Sequence, residues 1–184
     1  MTKKYFKIVI LALFMCLLLS GCASYDVAHI NENLNNEGFV EMNYNKQIFS
    51  GSSLLLEENT KTTLESDSYK IVTTLKKISG ITDETEFDET TTESSKSLQE
   101  DLSIKLELKE EAFQADKLKV SKTSLEGTLL DAKVEEVLGI TNAKSVKINI
   151  ILTKKLEVQQ IKITYIDTLT EYDVCLITEY VYVK

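Results

Sequence analysis

Leu102, Ile104, Leu106 and Leu108 alternate strictly with Ser103, Lys105 and Glu107. A period of two puts aliphatic groups on one side of an extended chain and water-seeking groups on the other, so the segment is read as a strand covering something apolar on one face only. The pattern recurs in the last third. Val146, Ile148, Ile150 and Leu152 alternate, Thr153-Lys154-Lys155 turns, and Leu156, Val158, Ile161, Ile163 and Tyr165 return, with Gln159-Gln160 shifting the phase as a bulge would. Tyr172 to Val183 supplies a third strand, which makes an antiparallel meander. Nearer the start, Val40, Met42 and Tyr44 alternate, Asn45-Lys46 suggests a turn, and Gln47 to Glu57 and Tyr69 to Lys77 read as further strands. The expected class is α+β: an antiparallel sheet with one or two short helices.

Two stretches carry a helical period. Asp131 to Leu138 places Val134, Val137 and Leu138 on one face, with Asp131 as the cap and Gly139 at the stop. Residues 22–38 space Val27, Ile30 and Leu34 helically between Asp26 and Gly38, yet Asn31, Asn33, Asn35 and Asn36 are poor helix formers. That stretch is read as a short helix or a flexible tether. Residues 82–100 crowd Asp83, Glu84, Glu86, Asp88, Glu89 and Glu93 among threonines and serines; so polar a segment reads as an exposed acidic loop. Clustered carboxylates suit calcium, but the glycine and ligand spacing of an EF-hand loop are missing, and no metal site is assigned.

The N-terminus has a different logic. Lys3, Lys4 and Lys7 precede an apolar run from Ile8 to Leu19, which ends in Leu19-Ser20-Gly21-Cys22. The run is too short to span a bilayer, where about 20 apolar residues are needed. It resembles a bacterial lipoprotein signal, in which small residues let a peptidase reach the bond before a cysteine that has taken a diacylglycerol. The resemblance implies removal of residues 1–21, lipidation at Cys22, and a chain held at the cell membrane on its extracytoplasmic side. A single domain is then expected over residues 39–184, after the segment 22–38. Cleavage would leave 18 lysines against 29 acidic residues, a net charge of −11. Such a chain is repelled by nucleic acid and by anionic headgroups, so the fatty anchor must hold it at the membrane. With Cys22 acylated, Cys175 has no partner for an intramolecular disulfide.

Reactive groups are sparse. His29 is the single histidine, without a patterned serine or carboxylate beside it, and Cys175 lies mid-strand between Val174 and Leu176. Gly80, Gly127 and Gly139 are isolated, so no phosphate-cradling loop is formed. No arginine is present to clamp a carboxylate or phosphate. No catalytic residue and no cofactor are assigned. Tyr165, Tyr172, Tyr180 and Tyr182 are read either as lining a sugar or peptide groove or as capping a sheet edge or core.

From Glu126-Gly127-Thr128 through the helix at Val134 to Leu138, then Val146 to Leu152, the lysine turn and Leu156 to Tyr165, the order of elements resembles the C-terminal half of LolA-like and LppX/LprG-like lipoproteins. The resemblance implies a strongly curved, half-barrel-like antiparallel sheet around helices, enclosing an apolar cavity that carries or senses acyl chains. Leu102, Ile104, Leu106, Leu108, Ile148, Ile150, Ile161 and Ile163 are the candidate lining residues; the alternative is that they fill an ordinary core. The functional expectation is a non-catalytic binding module for an apolar ligand such as a lipid. The alternative is a protein-interaction or structural lipoprotein of the cell envelope, with no small-molecule ligand and a partner not identified by the sequence.

Overall fold

A computed structural model of the chain describes residues 25–34, 38–79, 86–97 and 106–183. The signal segment, Cys22, and the candidates Leu102 and Ile104 lie outside the described residues. Among the described residues nine strands form one sheet: β1 (Phe39–Ser50), β2 (Ser53–Leu64), β3 (Ser68–Ser79), β4 (Glu86–Ser97), β5 (Lys119–Val120), β6 (Ser124–Thr128), β7 (Ala143–Leu152), β8 (Val158–Asp167) and β9 (Asp173–Tyr182). Their order is β4-β3-β2-β1-β9-β8-β7-β6-β5, and every neighbouring pair is antiparallel. The sheet is thus two meanders joined by one ladder between the first strand and the last, running from Phe39 opposite Tyr182 to Phe49 opposite Asp173.

The C-terminal meander follows its alternation. Val146, Ile148, Ile150 and Leu152 on β7 and Val158 and Ile161 on β8 are buried, and the register slips between Ile151 and Leu152, so that Gln159 is the extra residue of a bulge. Among the described residues two short α-helices accompany the sheet: α1 (Val27–Glu32) and α2 (Val134–Leu138). In α1, Asp26 caps the first turn by accepting the His29 amide at 3.0 Å, while Val27 and Ile30 turn inward. Leu34, just beyond, is buried as well. The Asn31 carboxamide donates to the Leu108 carbonyl and accepts the Leu108 amide at 3.0 Å, satisfying two backbone groups that would otherwise be buried unpaired. An asparagine that weakens the helix by propensity therefore docks it.

Four local expectations give way. The strand read from Leu102 to Leu108 is absent over its described part: residues 106–109 join no strand, and the Leu108 amide and carbonyl are taken by the Asn31 carboxamide instead of a ladder. The turn expected at Asn45-Lys46 is not there: β1 continues through both residues and reverses at Gly51, whose φ of +58° suits the turn. Within residues 82–100, expected as an acidic loop, Glu86–Ser97 forms β4 instead, paired along its whole length with β3. Among the described residues nothing covers either face of β4 from Asp88 to Ser95, where every side chain is exposed, so it needs no apolar face. Asp131 opens a single 3-10 turn rather than capping α2; its carboxylate accepts the Ser145 amide at 3.1 Å and ties that turn to the start of β7.

One cluster of buried side chains gathers α1, the segment from Leu108 to Phe113, β6, β7 and β8, with Phe39 and Tyr180 at its border. Strands β2 to β4 contribute Tyr69 to its edge, packed against Phe39 with ring centroids 5.5 Å apart. The apolar mass therefore sits over one half of the sheet.

Candidate binding face

The side chains proposed to line a cavity are placed as follows. Leu108, Ile148, Ile150 and Ile161 are buried, at 1%, 0%, 0% and 6% exposure; Leu106 and Ile163 are half-buried against the same cluster. A wall residue facing a space wide enough for an acyl chain would retain surface that a water-sized sphere can touch. Ile148 and Ile150 retain none, and the equally buried Leu125 stands beside Ile150 as its register partner on β6.

The other side of the sheet is polar. Register places Glu41, Asn43, Asn45 and Gln47 of β1 on one face with Glu57, Asn59 and Lys61 of β2, Val72 and Thr74 of β3, and Ile177 and Glu179 of β9. Their polar groups connect. Lys61 Nζ lies 2.7 Å from Glu41 Oε2, and Asn43 donates to Glu41 Oε1 at 2.8 Å. Asn45 donates to Asn59 and to Glu57, and Gln47 donates to Glu57 at 2.9 Å. Across β9, Gln160 donates to Glu179 at 2.8 Å. The hydrogen bond from Lys61, then that from Asn43, holds the Glu41 carboxyl below the usual carboxylate range. Gln47, then Asn45, does the same for Glu57.

Between these groups lies an open trough of about 540 Å³. Val72 and Ile177 are half-buried in its floor, with Asn43, Asn45, Asn59, Lys61, Thr74 and Glu179 around them. Donors and acceptors fixed on strands around a small apolar floor can orient a hydrogen-bonding surface laid against them. A smaller depression of about 320 Å³ on the same face holds Phe49, Lys147, Thr164 and the free thiol of Cys175. The network went unread in the sequence because only the apolar half of each alternation was followed. Its signal is the other half: Asn43, Asn45 and Gln47 interleaved with Met42, Tyr44 and Lys46.

The remaining candidates disperse. His29 Nε2 lies 3.0 Å from the Lys122 carbonyl and the ring packs 4.8 Å from Tyr25, a structural setting. Tyr180 is buried edge-on to Phe39 at 5.7 Å and Tyr182 borders the core, so these two serve packing, whereas Tyr165 borders both the core and the 320 Å³ depression. Among the described residues, no three His, Cys, Asp or Glu side chains converge as metal ligands, and no helix is long and apolar enough to cross a membrane. Neither a family model, nor a curated protein, nor a solved structure matches this chain.

Proposed function

We propose that this protein is a lipid-anchored lipoprotein of the bacterial cell envelope, facing outward from the membrane, which works without catalysis by engaging a partner on the polar face of its sheet. One observation carries the reading. Among the described residues the cluster of buried aliphatic side chains packs one half of the sheet, while hydrogen-bonding groups on the opposite face surround an open trough. The N-terminal Leu19-Ser20-Gly21-Cys22 motif supplies the anchor in this proposal.

A second reading keeps an apolar ligand such as a lipid. What favours it is the continuation of apolar side chains past the core on the same face: Tyr44, Leu56, Ile71, Leu75 and Leu176 are half-buried. Two measurements separate these readings. Native mass spectrometry of protein expressed without its signal is expected to find it empty, with no uptake of an added fluorescent fatty acid; stoichiometric uptake would favour the apolar ligand. Washed envelopes of the producing bacterium should retain added protein made without its signal and lipid, and Asn45→Lys with Asn59→Lys should lower that retention at least fivefold. Unchanged retention would remove the trough from the proposal. For the anchor, Cys22→Ser should abolish incorporation of a labelled fatty acid and let high salt, without detergent, release the protein from the membrane.

A further inference from the structure

The two edges of the sheet differ. At one end β5 is two residues long and offers almost nothing to pair with. At the other, β4 runs twelve residues in an unbroken register with β3, from Ser79 opposite Glu86 to Ser68 opposite Ser97. Edge strands are commonly blunted by a bulge, a proline or a mid-strand lysine. Strand β4 has no bulge, the chain has no proline, and its lysine, Lys96, stands near the end. From Asp88 to Ser95 every residue is exposed, and β3 is its strand partner. Those outward amides and carbonyls are a template for another strand.

What kind of strand fits is indicated by the one already there. On β3, Lys70 and Lys76 bracket Ile71, Val72, Thr73, Thr74 and Leu75. Lys70 Nζ stands 3.4 Å from Glu93 and Lys76 Nζ 3.6 Å from Glu89. Both carboxylates remain more than half exposed, so these pairs leave them free to meet a second cation. A second copy of β4 would instead bring Asp88, Glu89 and Glu93 toward their own kind, in a chain whose net charge is already −8.

We propose that the outer edge of β4, from Asp88 to Ser95, receives an extended, lysine-bearing segment of a partner protein as a tenth strand. Its lysines would lie opposite Glu89 and Glu93, with β-branched residues between them. This rests on the partner-binding reading above but uses a different surface from the trough.

The test uses the full chain in detergent and, as probe, a synthetic peptide with the sequence of residues 69–77. Hydrogen exchange should show alternate amides between Asp88 and Ser95 at least tenfold better protected at saturating peptide. A peptide N-methylated at alternate amides should give no protection, and replacing its lysines by glutamate should weaken binding at least fivefold. Glu89→Lys with Glu93→Lys should reverse that preference; binding of the glutamate peptide by this variant also shows that it folds. Absence of protection at millimolar peptide, or binding indifferent to N-methylation, overturns the inference. Protection that grows with protein concentration alone also overturns it, in favour of self-association. Envelope retention that depends on Asn45 and Asn59, together with an unprotected β4, sinks the edge inference and leaves the partner-binding reading standing.

Discussion

Gly127 is where one side chain decides how closely two segments approach. A Cβ built there would meet Phe113 Cδ1 at 2.5 Å and Cε1 at 2.8 Å, and Leu118 Cδ1 at 3.1 Å. The Phe113 ring is itself buried, and its backbone bridges to Leu129, so it has little room to retreat. Gly127→Ala should therefore cost about 1–3 kcal/mol through overpacking, seen as a lower urea midpoint at unchanged slope. Tyr182 presents the opposite case, a buried hydroxyl without a hydrogen-bond partner. Burial, then the nearby Glu157 carboxylate, pushes the phenol up to about 12 from an ordinary 10.0. The folded chain thus holds this proton at a pH where the unfolded chain has released it. The associated stability is full below about pH 10 and is lost as pH rises through about 12. Tyr182→Phe should flatten that alkaline loss in pH-dependent melting. At neutral pH it should leave stability unchanged or raise it by up to about 1 kcal/mol, since no hydroxyl is then left unpaired.

Among elements, the sheet divides by what backs each strand. Strands β7 and β8 lie over the core, whereas β3 and β4 carry no fully buried side chain among the described residues. Local opening is cheapest where few apolar contacts break. Amides of β3 and β4 should exchange at least about tenfold faster than those of β7 and β8; equal rates would show the sheet opening as one unit. The same division explains what the sequence revealed. The meander from Ala143 to Tyr182 was legible, bulge included, because each strand has a wet face and a buried face. Strand β4 was not, because a strand wet on both faces has the composition of a loop; its one clue is the run Thr90-Thr91-Thr92 inside the acidic stretch. Asn45-Lys46 misled for a related reason. Turn-forming residues sit in mid-strand when their side chains have partners, and Asn45 has Asn59 and Glu57. Of the binding face, the residue types were visible, but their convergence depends on a register that no single strand encodes.

At the scale of the molecule, one ladder decides how the ends are arranged. Phe39 stands opposite Tyr182, so the first strand begins where the last one finishes, and the Glu157 turn lies beside Tyr182 at that same end. Helix α1 is pinned there too, since His29 reaches Lys122 and the Leu152 amide donates to Thr123. If Cys22 is acylated, the three residues to Tyr25 span at most about 10 Å, so this end must ride close to the lipid. Leu169, 76% exposed in the turn before β9, then points away, roughly 30 Å further out along the strands. In a Cys175→Ser background, a donor dye at Val183→Cys should transfer energy to acceptor-labelled lipid far more efficiently than one at Leu169→Cys; equal transfer would contradict this orientation. The outer turn is thus the place for a reporter or an affinity handle, whereas a tail added after β9 would be wedged against the leaflet.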